Sequence, residues 1–67
     1  MEWPAMVHAS EVQSRLIGDG VPVERAMQVT SALATVPIGG KYRIERAQGD
    51  LYLYKTASPG YFAVAGS

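Results

Sequence analysis

A chain of 67 residues with no cysteine has room for one small core and excludes disulfides and thiolate metal sites. Its single histidine excludes an ordinary zinc site, and its six basic and six acidic residues give no overall attraction to nucleic acid or anionic lipid. Because so small a core usually needs further support, we expect a homodimer, with no cofactor and no metal.

The sequence also predicts where the protein resides. No apolar run reaches the roughly 18 residues that a membrane span requires. The first ten residues, MEWPAMVHAS, lack the basic segment and the apolar stretch of a signal peptide. We therefore expect a cytoplasmic protein with no membrane partner.

Residues 1–9 are predicted to be an N-terminal arm, and residues 10–67 a single small domain. Pro4 disfavours helix at the residue before it, and the segment has no clear period. Trp3 and Met6 are large apolar groups in this arm. They either fold back on the core or dock on a second chain.

Two helices are predicted to follow. Ser10 caps the first, which ends at Gly18, while Pro22 opens the second and Pro37 ends it. The connecting loop is short, so the helices form a hairpin or a helix-turn-helix. Apolar and small residues recur along the second helix at helical spacing. With the first strand they are predicted to form the core or a dimer seam: Val23, Met27, Thr30, Leu33, Tyr42 and Ile44.

After a glycine pair at 39–40 the apolar period changes from helical to two. Residues 41–45, 51–54 and 61–65 each alternate, and turn residues separate them. Phe62 and Val64 are expected to point inward, as are the leucines of 51–54, whose tyrosines point outward. The sequence thus predicts an α+β fold, a two-helix hairpin packed on a small three-stranded antiparallel sheet in the order α-α-β-β-β.

No residue pattern favours catalysis. His8 lies on the predicted arm, two residues before Ser10, and nothing orients it as a base. The glycine pair before Lys41 lacks the spacing of a phosphate-binding loop. We therefore expect no catalytic residues and no enzyme activity.

Two kinds of binding surface remain open. For a protein partner, the candidate contacts are aromatic residues of the types enriched in interfaces: Trp3, Tyr52, Tyr54 and Tyr61. The alternative is a small DNA-binding transcriptional regulator, which uses a helix-turn-helix with a β-hairpin wing, or a tyrosine face that stacks bases. Its phosphate contacts would be Arg25, Arg43, Arg46 and Lys55. Protein binding is preferred because the exposed residues of the second helix carry little positive charge.

Residues 10–45 resemble the N-terminal part of the Mor family of transcription activators from Mu-like phages. The shared features are Pro22 at a helix start, Ala26, the glycine pair and Tyr42. The resemblance implies dimerisation through the helix at 21–34 and the strand at 41–45. The family's basic helix-turn-helix has no counterpart here, so DNA binding is not implied. A small phage or mobile-element protein that binds or inhibits another protein would fit this resemblance.

Overall fold

The computed structural model describes residues 2–66, which form two helices and four strands. In chain order the elements are β1 (Met6–His8), α1 (Ala9–Gly18), α2 (Val23–Leu33), β2 (Lys41–Ile44), β3 (Leu51–Lys55) and β4 (Tyr61–Ala65). The strands make one antiparallel sheet in the order β1-β4-β3-β2. The predicted α+β class and the predicted helix pair are confirmed. The ends of the two predicted ranges, Met1 and Ser67, lie outside the described residues.

The predicted number of strands is wrong, because the sheet has four strands and not three. The extra strand, β1, comes from the segment predicted to be an arm. It pairs with β4 in the register Met6↔Ala63 and Val7↔Phe62, and the Val64 N–H donates to the Ala5 carbonyl at 2.9 Å. Strand β4 would otherwise be an open edge, which attracts further pairing. With β1 in place, β4 becomes an internal strand.

Both helices cover the same face of the sheet. The apolar residues at alternate strand positions and the buried stripes of the two helices belong to one core cluster. The alternation predicted for β3 is confirmed, since Leu51 and Leu53 are completely buried. The core therefore lies in a single layer between helices and sheet. Its members are Trp3, Val7, Val12, Leu16, Val21, Ala26, Val29, Leu33, Ile44, Leu51, Leu53 and Phe62.

The ends of the helices follow local chemistry. His8, and not Ser10, caps α1, because its Nδ1 accepts the main-chain N–H of Ser10 at 3.1 Å. Pro22 marks the start of α2, but as its N-cap and not at the predicted first helical position, which Val23 occupies. The helix ends at Leu33, before the predicted stop at Pro37 is reached. The chain between Leu33 and the glycine pair therefore contains turns and is not the last part of the helix.

The glycine pair leads into β2 and extends its pairing with β3. The Lys55 N–H donates to the Gly40 carbonyl at 2.9 Å, and the Gly39 N–H donates to the Lys55 carbonyl at 3.0 Å. Gly39 has a φ of +84°, which favours glycine at this position. The change from helix to strand thus occurs at a backbone conformation that other residues rarely adopt.

An ion pair with buried side chains joins three segments that are distant in sequence. Arg46, after β2, donates to Asp19 Oδ2 at 2.6 Å, and the Trp3 indole N–H donates to the same oxygen at 2.7 Å. The side chains of Arg46 and Asp19 are only 4% and 2% exposed. Burial raises the pKa of Asp19, but the hydrogen bonds from Trp3 and Arg46 and the positive charge of Arg46 outweigh burial. The pKa therefore lies below its ordinary value of 3.8.

Candidate interaction surface

The side of the sheet that points away from the helices is open. In the part of the chain that the structure describes, both helices bury their apolar stripes on the opposite face. Large apolar and aromatic groups therefore remain in contact with solvent here, including Met6, Tyr54 and Tyr61. We call this side the outer face, and the strand registers assign to it Met6, His8, Lys41, Arg43, Tyr52, Tyr54, Tyr61, Ala63 and Ala65.

Three of the four aromatic residues predicted to contact a partner lie together on the outer face. Tyr52 and Tyr54 are on β3, and Tyr61 is on β4. Tyr54 is 37% exposed and Tyr61 is 41% exposed, whereas Tyr52 is half-buried. The Tyr61 ring packs edge-on against the His8 ring, with their centroids 5.0 Å apart. The neighbouring β2 adds a cation, since Lys41 Nζ lies 5.5 Å from the centroid of the Tyr52 ring.

The fourth aromatic residue, Trp3, lies elsewhere. Its side chain belongs to the core, and its indole N–H is bound to Asp19. The sequence allows Trp3 either to fold back on the core or to dock on a second chain. In the structure it folds back on the core of its own chain. The aromatic groups that the outer face offers to a partner are the three tyrosines.

The residues predicted to form a core or dimer seam divide into two groups. Leu33 and Ile44 are core residues, and Thr30 and Tyr42 are half-buried. The other two, Val23 and Met27, are each about half exposed, because α2 turns a different stripe toward the sheet. The residues of that stripe also recur at helical spacing. The sequence of α2 therefore contains two overlapping helical patterns, and it does not show which one faces the sheet. The buried members of the stripe that faces the sheet are Ala26, Val29 and Leu33.

The four basic residues of the nucleic-acid alternative are not brought together. Arg46 is buried against Asp19 and is not available to a phosphate. Lys55 Nζ lies 5.3 Å from the ring centroid of Phe62, a residue of the inner face. Two of the four predicted phosphate contacts are thus directed away from the outer face.

The remaining two basic residues of that alternative lie near carboxylates. Arg25 and Arg43 are 3.7 Å and 3.5 Å from the Glu45 carboxylate, and Arg43 is also 3.7 Å from Asp50. All of these side chains are substantially exposed, so the pairs are weak. They nevertheless reduce the positive charge that this part of the molecule presents. The four predicted basic side chains therefore form no continuous basic patch.

The contact between His8 and Ser10 has the composition of a catalytic pair. The His8 Nδ1 lies 2.9 Å from the Ser10 hydroxyl oxygen and also accepts the Ser10 main-chain N–H. The pair belongs to the cap of α1, which accounts for its geometry. Among residues 2–66, no three histidine, aspartate or glutamate side chains are grouped as metal ligands. No helix in that part of the chain is long and apolar enough to cross a membrane.

Comparison with known proteins gives no relative, since no protein-family model, no curated protein and no solved structure matches the chain. The resemblance to the Mor family therefore stays a prediction. What can be inferred about function depends on the geometry of the outer face and of the sheet edges.

Proposed function

We propose that this protein is a small, non-catalytic protein-interaction module that binds a partner through its outer face. The observation that carries the proposal is a sheet covered by helices on one side only, with three tyrosines and Met6 on the other. Sheets with one open face commonly place polar residues there. A face with this many large apolar and aromatic groups is typical of an interaction site.

Tyrosine suits such a contact for physical reasons. Its ring supplies a large apolar area with few rotatable bonds, and its hydroxyl group can bind a polar group of the partner. Tyr54 and Tyr61 are on neighbouring strands, so one partner segment lying across β3 and β4 can contact both. Ala63 lies opposite Tyr54 in the sheet, and this small side chain leaves room between the aromatic rings.

The charges around the outer face indicate the chemistry of the partner. The face carries Lys41 and Arg43 at its β2 side and has no carboxylate among its nine residues. Arg43 is partly neutralised by Glu45 and Asp50, while Lys41 lies over the Tyr52 ring. A partner segment that combines apolar groups with an acidic residue near Lys41 would be complementary to this surface.

Nucleic-acid binding is the second candidate, and one observation favours it. Lys41, Tyr52 and Tyr54 place a cation beside two aromatic rings on an open sheet, which is an arrangement that stacks bases. The arginines do not reinforce it, because they are buried or lie near carboxylates. Helix α2 has one basic residue, Arg25, directly beside the acidic Glu24, and such a helix is unsuited to the phosphates of the major groove.

The experiment places a photo-crosslinking amino acid at position 54 or 61, with position 28 as the matched control. Gln28 is an exposed residue on the solvent side of α2, away from the sheet. In the cells from which the chain derives, we expect discrete protein crosslinks from positions 54 and 61 and none from position 28. Crosslinks from position 28 alone, or from none of the three, would contradict the proposal. Crosslinks to nucleic acid that disappear with added salt would favour the second candidate.

A role as an inhibitor from a phage or mobile element is a narrower form of the same proposal. It comes from the Mor-family resemblance, and a small, open-faced domain is compatible with it. The identity of the protein captured at position 54 would test it directly. A host regulatory protein or enzyme would support the inhibitor role, and a structural protein would oppose it.

A further inference from the structure

The middle of the outer face is lower than its surroundings. On β4, the small side chains of Ala63 and Ala65 occupy successive outer-face positions, and Ala63 is half-buried. We call the depression over these two alanines the alanine trough. The strand registers place larger side chains around it, namely Met6 on β1, Tyr52 and Tyr54 on β3, and Tyr61 at the start of β4.

The width of the alanine trough selects the kind of segment that can fill it. At Ala63 the flanking residues are Met6 and Tyr54, whose strands lie on either side of β4. Two strand spacings separate their backbones by about 10 Å. An α-helix with its side chains is about 10–12 Å across, so it would rest on the flanking side chains. A single extended segment is narrower and can reach the alanines.

The sheet offers no main-chain hydrogen bonds to such a segment. Strand β4 pairs with β1 on one side and with β3 on the other, so its N–H and C=O groups are used within the sheet. An ordinary extended segment lying over β4 would bury N–H groups, and each one left without an acceptor costs about 1–3 kcal/mol. Proline has no N–H group, and a polyproline II helix needs no main-chain hydrogen bonds. A proline-rich segment therefore avoids this cost.

The polar groups of the outer face are mostly hydrogen-bond donors. Lys41 and Arg43 can only donate, and the hydroxyl groups of the three tyrosines can donate as well. None of the nine outer-face residues has a carboxylate, an amide or an aliphatic hydroxyl group. The ring acceptor of His8, its Nδ1, is already bound to the Ser10 N–H. The face therefore complements a segment that has many acceptors and few donors, and the carbonyl groups of a proline-rich segment meet this requirement.

We propose that the outer face binds a proline-rich segment in the polyproline II conformation, which lies in the alanine trough and has an acidic residue near Lys41. This inference rests on the proposed function and names the chemistry of the partner. Tyr54 and Tyr61 provide exposed aromatic rings for the proline rings. The ligand conformation is formed before binding, so little entropy is lost when it docks.

The test is an NMR titration of the ¹⁵N-labelled chain with two synthetic peptides, each a run of prolines with glutamate at one end or the other. The control peptide has alanine in place of every proline, with the same length and charge. We expect a proline peptide to shift the resonances of β3 and β4 and to bind at least about tenfold more tightly than the control.

Two substitutions locate the binding site. Tyr54→Ala should weaken binding by about tenfold, and Gln28→Ala on α2 should leave it unchanged. Ala63→Leu fills the trough while it keeps every tyrosine, so it should also weaken binding by about tenfold. A surface that binds only because it is apolar would instead gain affinity from the added leucine. Circular dichroism on each variant verifies that the fold is retained.

Several results would overturn this inference. They are equal affinity for the alanine peptide, an Ala63→Leu variant that binds as tightly as the wild type, and shifts confined to the helices. Protein crosslinks from positions 54 and 61 without proline-peptide binding at about 1 mM would refute the inference alone and leave the proposed function standing. A pyrimidine oligonucleotide that shifts β3 and β4 when the peptides do not would also refute it and would favour nucleic-acid binding.

Discussion

The buried pair of Asp19 and Arg46 gives the sharpest prediction for stability. Asp19→Asn conserves the volume of the side chain and its acceptor for the Trp3 indole, but it leaves the Arg46 charge without its partner. Removal of one member of a buried ion pair typically costs about 3–5 kcal/mol. Because the hydrogen bond from the Trp3 indole is retained, we expect a loss at the lower end of this range, about 3 kcal/mol. A domain of this size has a free energy of unfolding of roughly 3–10 kcal/mol, so the loss should be large.

The assay is urea unfolding followed by tryptophan fluorescence and circular dichroism. Trp3 is the only tryptophan and donates to Asp19, so its emission reports directly on this cluster. The matched control is Glu11→Ala, which removes a solvent-exposed pair with Arg15 and should cost about 0.5 kcal/mol or less.

A second variant decides whether the unpaired charge is the cause. Arg46→Met in the Asp19→Asn background removes that charge and should recover a substantial part of the lost stability. A loss below about 1 kcal/mol for Asp19→Asn alone would refute the reasoning, because it is the value of a solvated surface pair. A double variant less stable than Asp19→Asn would also refute it, since the cost would then lie in the lost arginine contacts.

Three further predictions concern pH, the core and one turn. The pKa of Asp19 in the folded protein lies below 3.8. The stability that the ionised Asp19 contributes is therefore fully present above about pH 4 and is lost as the pH falls through the folded-state pKa. The difference in free energy of unfolding between wild type and Asp19→Asn should therefore decrease as the pH falls through that range. A difference that stays constant would contradict this. Leu53→Ala should lower the free energy of unfolding by about 2–5 kcal/mol, and Tyr54→Ala on the other face by much less; similar losses in urea titrations would contradict the assignment of faces. Gly60→Ala should lower the melting temperature, since φ at this position is +79° and the added Cβ would lie 2.5 Å from the His8 Nε2 atom. The control, Gly18→Ala, adds a Cβ with no atom within 4 Å and should not lower the melting temperature.

The strands β2, β3 and β4 could be predicted from the sequence because each has a local alternation. In β3, Leu51 and Leu53 alternate with Tyr52 and Tyr54, and a buried face is the simplest explanation of that pattern. The resulting outer face with its tyrosines follows from the same alternation. This much of the candidate site is encoded over only a few residues.

The features that the sequence did not reveal depend on contacts between distant residues. Strand β1 is too short to display a period, and it is a strand only because β4 offers it an edge. The cluster of Trp3, Asp19 and Arg46 joins residues 16 and 27 positions apart, and no local signal marks any of the three. The exposure of Met27 depends on which of two overlapping helical stripes meets the sheet, which tertiary packing decides.

The pairing of β1 with β4 has a consequence for the order of folding. These strands lie near opposite ends of the described chain, so their contact closes a loop that contains both helices and the other two strands. During synthesis, β1 and the helices emerge from the ribosome well before β4, and the sheet cannot be completed until nearly the whole described chain is free. Contacts of such long sequence separation slow folding. Val7, a core residue of β1, therefore reaches its partner Phe62 only late in synthesis, and until then its apolar side chain lacks its neighbour in the sheet.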